Sequence, residues 1–219
     1  MPIYTATADA NGDFTVPFSS NYTSGQKVTV TAEKDGATKS IELNAPSDTL
    51  GGGAIQFSGS LANFPQNIGG VIITGLSGAI GNTAFFSTFS GEWCAKATSL
   101  EINVGVSSIG SSAFTGWVLS KSLILPEGLL TISQQAFQSW GVAKNLTLPS
   151  TITSLSSEAF SGWSSCDEVI CKAINPPAIT STTFLGIKST CVFKVPVGSV
   201  DAYKAAVNWS AFASRIQAI

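Results

Sequence analysis

One feature constrains this chain more than any other: a stretch of about twenty residues returns at a fixed interval of 23. "IGSSAFTGWVLSKSLILPEG" begins at Ile109, "ISQQAFQSWGVAKNLTLPST" at Ile132 and "LSSEAFSGWSSCDEVICKAI" at Leu155. The same offset joins Ala113-Phe114, Ala136-Phe137 and Ala159-Phe160, then Trp117, Trp140 and Trp163, then Leu123, Leu146 and Val169. "AIGNTAF" at Ala79 to Phe85 is an earlier copy, and "ITSTTF" at Ile179 to Phe184 is a later, degenerate one. The short apolar runs starting at Val71, Leu100, Leu123, Leu146, Val169 and Val192 step by 29 and then by 23. Their alternation predicts short strands, several closed by a proline that has no N–H to donate to a ladder.

A unit of 23 residues cannot bury its own apolar face, so copies must stack, with neighbouring strands in parallel about 4.8 Å apart. Equivalent residues then form columns along the stack. The predicted fold is therefore mainly β: a solenoid of about five to six coils over residues 71–198. The period falls in the range of leucine-rich repeats.

The pattern Ile-Gly-x-x-Ala-Phe, followed by an apolar-x-apolar-Pro strand, resembles the BspA-like class of bacterial leucine-rich repeats over about residues 71 to 219. That resemblance implies a non-enzymatic, surface-exposed protein that binds host or cell-surface components. Family members commonly carry Cys where Trp117, Trp140 and Trp163 stand, and Leu three residues later, where this chain has Ser120, Ala143 and Cys166. A large residue has replaced a small one and a small residue a large one, in three copies.

The flanks differ in character. "GSVDAYKAAVNWSAFASRI" reads as a capping helix within residues 199–219, with Ser199 as N-cap, Asp201 at the positive dipole end, and Val200, Tyr203 and Val207 on one face. Trp209, Phe212 and Ile216 extend that plug. Residues 1–48 alternate as strands around Asn11-Gly12 and Asp35-Gly36, both strong hairpin signals. They look like part of a bacterial immunoglobulin-like module, a small antiparallel β domain of the kind strung along adhesins and phage tail fibres. Residues 49–70 form a Gly-rich joint anchored by Ile55, Phe57, Leu61 and Phe64, expected to cap the first coil.

Composition excludes several functions. Net charge is −2 and the 11 Lys and Arg are scattered, which leaves no basic footprint for nucleic acid or anionic lipid. No run reaches the roughly 18 apolar residues of a membrane span, so no membrane insertion is expected. The start "MPIYTATADANG" lacks the features of a secretory signal, which suggests assembly in the cytoplasm or an excised fragment. The absence of histidine removes Ser-His and Cys-His catalysis, and no enzyme activity is expected. Cys94, Cys166, Cys171 and Cys191 have no CxxC spacing, so buried thiols are expected and no metal or cofactor.

Two columns remain as candidate contacts. Trp117, Trp140 and Trp163 could stack sugar rings or a protein loop, or could be core; the exchange with Ser120, Ala143 and Cys166 approximately conserves interior volume and favours core. Lys121, Lys144 and Asp167 share one repeat position, and like charges stacked there must face water. Together with the resemblance, these features lead to a phage or prophage tail fibre component as the expected role. Residues 1–48 would attach to other tail proteins or to copies of the chain, and the repeats would meet a bacterial cell-surface receptor, glycan or protein. The expected location is the virion tail, with a purely structural subunit or a secreted adhesin at the cell surface as alternatives.

Overall fold

The computed structural model describes residues 69–87 and 95–219 with their side chains. Elsewhere it describes only backbone: the strands at 14–17, 27–34, 37–44 and 54–57, and positions 93 and 94 of a short 3-10 turn. Before the repeats lie β1 (Phe14–Pro17), β2 (Lys27–Lys34), β3 (Ala37–Asn44) and β4 (Ala54–Phe57). β2 and β3 pair antiparallel with Lys34 opposite Ala37, and the turn expected at Asp35-Gly36 lies outside the described residues. The hairpin expected at Asn11-Gly12, and the anchors Leu61 and Phe64, lie outside the described residues.

Each of the first four coils then contributes two short strands, the second ending on an inward isoleucine or leucine. The pairs are β5 (Gly70–Thr74) with β6 (Gly78–Ile80), β7 (Ser99–Ile102) with β8 (Val106–Ile109), β9 (Ser122–Ile124) with β10 (Thr131–Ile132), and β11 (Asn145–Leu148) with β12 (Ser154–Leu155). β13 (Glu168–Cys171) and β14 (Val192–Val195) continue the first column. Pairing between coils is parallel and in register: Leu100 lies opposite Leu123, Leu146 opposite Val169, Ile109 opposite Ile132, and Ile132 opposite Leu155. The 23-residue offset thus becomes hydrogen-bonded columns, with two departures: β9 and β11 belong to different sheets, and at the last step the offset is 24, so Val169 lies opposite Phe193 and not opposite Val192, the run start expected from the sequence. β4 adds antiparallel to β5, and β1 to β4, so the residues before the repeats extend the first sheet at its N-terminal edge.

The third wall of each coil is the Ala-Phe turn, and it carries a backbone ladder that alternation could not reveal. Phe114 N–H donates to Ala136 O (2.8 Å), Phe137 N–H to Ala159 O (2.9 Å) and Phe160 N–H to Thr183 O (2.9 Å). Making this turn requires two left-handed residues per coil. Gly116, Ser139, Gly162 and Gly186 take φ between 70° and 84°, and Thr83, Ser112, Gln135 and Glu158 take φ between 54° and 57°. The second set has no glycine, so residue type gave no warning of a conformation that costs L-residues about 1–2 kcal/mol each.

At the C-terminal end the structure departs from the expected helix. α1 runs only from Val200 to Ala205, a 3-10 segment spans Trp209–Arg215, and β15 (Ile216–Ala218) pairs parallel with β14. Ser199 is buried and makes no side-chain cap hydrogen bond, because a 3-10 turn at Val197–Ser199 precedes the helix. Val207 is 81% exposed rather than on the buried face, since Ala206 turns extended and Asn208 turns left-handed to donate its amide to Ile179 O at 2.7 Å. Tyr203, Trp209 and Ile216 are buried, and Trp209 Nε1 donates to Pro177 O at 2.8 Å. Phe184, Phe193, Trp209 and Phe212 cluster edge to face, and together they cover the last turn of the core.

Candidate binding surface

Trp117, Trp140 and Trp163 do not face outward. All three are 0% exposed, which corrects their candidacy as ligand contacts. Their rings stack along the array at 5.8 and 5.7 Å with interplanar angles of 6° and 4°. Phe85, Phe114, Phe137, Phe160 and Phe184 form a second parallel stack at 5.1 to 5.7 Å, and within each coil Phe and Trp meet edge to face. Each indole N–H is consumed by the preceding coil: Trp117 donates to Phe85 O (2.8 Å), Trp140 to Phe114 O (2.9 Å) and Trp163 to Phe137 O (2.8 Å). No ring face, edge or donor is left for a ligand. Ser120, Ala143 and Cys166 are also 0% exposed, in keeping with small residues beside a large one in a closed interior.

The charged column is outside. Lys121, Lys144 and Asp167 are exposed and stand on successive coils, with Asp167 N–H donating to Lys144 O at 2.7 Å. The next coil neutralises the acidic end: Lys188 pairs with Asp167, and Lys194 with the adjacent Glu168. The hydrogen bond from Lys188, helped by its charge and that of Lys144, holds the Asp167 carboxyl below the usual carboxylate range against a smaller opposing effect of desolvation. A depressed folded-state pKa means that this contribution to stability is present above the unfolded pKa of about 3.9 and is lost as pH falls through the lower folded value. Lys188→Ala should move the Asp167 titration midpoint up toward the ordinary carboxylate value, read by NMR of the carboxyl. The pair is solvent-exposed, so the melting temperature at neutral pH should scarcely change.

A neighbouring column passed unnoticed in the sequence. The middle residues of the first strands, Ile72, Glu101 and Ile124, then Thr147, Ile170 and Lys194, are in register and point away from the core. Ile124 is 54% exposed. The alternation inside each strand marks these positions as outward, but apolar Ile124 and Ile170 hide the column from a search for polar surface. The second strands border a different surface, an uncharged groove of about 450 Å³ lined by Ser133, Gln134, Ser154, Ser156, Ser157 and Thr180 among others.

The acidic side chains of the turns are taken up separately. Glu127 accepts from Ser150 N–H and Oγ at 3.0 and 2.8 Å, and Glu158 accepts from the amides of Gln135 and Gln138 at 3.0 Å each. Both carboxylates therefore have surface partners of their own. Among the described residues, no three His, Cys, Asp or Glu side chains converge as a metal site would require. Among the same residues, no helix is long and apolar enough to cross a membrane.

Stacked coils with in-register parallel strands, few helices and an Ala-Phe turn define a protein of the leucine-rich-repeat class. Residues 78–198 match six copies of the BspA type leucine rich repeat region, more than half of the 219-residue chain, and the chain belongs to that family. Such repeats generally serve as non-enzymatic binding modules. No curated protein matches the chain.

Proposed function

We propose that this chain is a non-enzymatic binding module of a phage or prophage tail, with the repeat array presented to a bacterial cell-surface receptor. Residues 1–48 serve in this reading as an immunoglobulin-like attachment domain, to other tail proteins or to copies of the chain; the antiparallel pairing of β2 with β3 is what supports it. The observation that carries the binding role is the division of labour along the repeats. Every stacked aromatic is spent inside, while Lys121, Lys144 and Asp167, and Ile124, Thr147 and Ile170, stand at equivalent outward positions on successive coils. A surface that mixes aliphatic, hydroxyl and charged groups at a regular spacing suits an extended macromolecular ligand better than a small molecule, which would need an enclosed pocket.

The purified chain should bind intact host cells and compete with tail adsorption. Lys121→Glu combined with Lys144→Glu should weaken cell binding at least tenfold, with a steeper loss at low salt, and leave the melting temperature within about a degree. Binding unaffected by the double charge reversal would remove this face from the receptor contact. Absence of any cell binding would favour a structural subunit that touches only tail partners.

A further inference from the structure

The last two coils bring together two buried cysteines that the binding role does not use. Glu168 and Val192 are paired residues of adjacent parallel strands, so Cys191 lies opposite Asp167 and one residue away from Cys166. For strands about 4.8 Å apart with a rise near 3.3 Å per residue, that diagonal is about 6 Å between Cα atoms, the commonest separation for a disulfide. Both sulfurs turn to the same strand starts: Cys166 Sγ is 3.3 Å from Glu168 O, and Cys191 Sγ is 3.8 Å from Val192 O. Both thiols are free. We infer that Cys166 and Cys191 form a redox-active pair that closes to a disulfide and clamps the fifth coil to the last one.

The pair is chemically asymmetric. The S–H of Cys166 can point to the Cys191 sulfur as well as to the Glu168 carbonyl; donating to Cys191 lowers the pKa of that thiol, and the charge of Arg215 lowers it further. The same hydrogen bond and burial push the Cys166 thiol up. Arg215 is held in place by donating to the carbonyls of Ser189 and Cys191 at 3.0 and 3.3 Å, and it lies over the rings of Phe193 and Phe212. Cys191 is thus the attacking group. Its thiolate displaces one thiolate from a small-molecule disulfide, forming a mixed disulfide. Cys166 then loses its proton to the medium and attacks the Cys191 sulfur, releasing the second thiolate. Two protein thiols are oxidised and one external disulfide is reduced to two thiols, so atoms and electrons balance. Both cysteines are 0% exposed, so the step requires local opening of the segment around Arg215. Closure joins residues 25 apart in sequence and covalently restrains the last coil.

The full chain, equilibrated with oxidised and reduced glutathione over a range of ratios and then digested without reduction, tests this directly. Expected are a mass lower by two hydrogens, a linked pair of peptides carrying Cys166 and Cys191, and a melting temperature raised by roughly 5–10 °C. Cys166→Ala, which copies the residue found at Ala143 in the preceding coil, should fold and form no such link. Persistence of both thiols as alkylatable groups under oxidising ratios, a link to Cys94 or Cys171 instead, or glutathione adducts that never resolve would each overturn the inference. Peptide mapping of the unsubstituted chain distinguishes these outcomes by itself, whether or not the alanine variant folds. The outcome is independent of cell binding.

Discussion

Trp140→Ala should destabilise the protein by upwards of about 5 kcal/mol and abolish a single cooperative urea transition. Truncating a buried Trp to Ala costs about 3–5 kcal/mol from transfer and cavity formation alone. Two further losses add to it. Trp140 stacks between Trp117 and Trp163 at 5.8 and 5.7 Å and meets Phe137 edge to face at 5.6 Å, contacts worth about 0.5–1.5 kcal/mol each beyond burial. Its indole N–H satisfies Phe114 O at 2.9 Å, and leaving a buried carbonyl without that donor costs about 1–3 kcal/mol. Trp140→Phe should retain part of the ring packing and lose roughly half as much, since it still leaves the carbonyl without the indole donor. Urea unfolding followed by near-ultraviolet circular dichroism reads both variants. Unchanged melting together with lost cell binding would mean that the tryptophans serve a ligand after all, against their complete burial.

Gly116→Ala should cost about 3 kcal/mol, and a change at the same position in the next coil should act in the opposite direction. Gly116 sits at φ 84°, and a Cβ there would lie 2.4 Å from the backbone oxygen of Ser87, which cannot move aside like a flexible side chain. The left-handed conformation contributes about 1–2 kcal/mol of that cost and the clash supplies the rest. Gly162 occupies the equivalent position at φ 80°, but its nearest atom to an added Cβ is Ser139 Cα at 3.4 Å, an ordinary contact. Gly162→Ala should therefore show the conformational cost alone, about 1–2 kcal/mol. Ser139 already carries a side chain at φ 70°, so Ser139→Gly relieves strain and should gain about 0.5–1 kcal/mol. Thermal melts of the three variants give a ranking, and equal losses at Gly116 and Gly162 would show that the Ser87 carbonyl yields at little cost.

These two tests also separate what could be read in the chain from what could not. The 23-residue offset carries translational information: it says which residues share a column, and the observed registers of Leu123, Leu146 and Val169 with their neighbours follow from it. Alternation adds direction within a strand, which is why Leu123 and Leu146 were legible as core. The turn has no such alternation. There, the direction of a column depends on left-handed residues, and with Ser112, Gln135 and Glu158 adopting that conformation nothing in residue type announces it.

The tryptophans sit in that turn. Their spacing and the exchange with Ser120, Ala143 and Cys166 pointed toward the interior, but an exposed aromatic ladder would have the same spacing. Only the folded coil, in which each indole N–H finds the preceding phenylalanine carbonyl, closes that choice. The C-terminal end escaped for a related reason: one non-repeating segment has no second copy to average against, so the helix pattern through Val207 was overridden by the packing of Tyr203 and Trp209 on the last coil. The nearness of Cys166 and Cys191 belongs to tertiary structure as well, because the last coil breaks the 23-residue step and two residues 25 apart meet only through strand register. The sequence by itself determined the repeat, its parallel stacking and the columns, since a short unit with one apolar face is stable only beside its copies. Tertiary structure decided which columns turn inward at the corners and how the array ends, since corner geometry is set by backbone conformation and contacts between coils rather than by hydrophobic period.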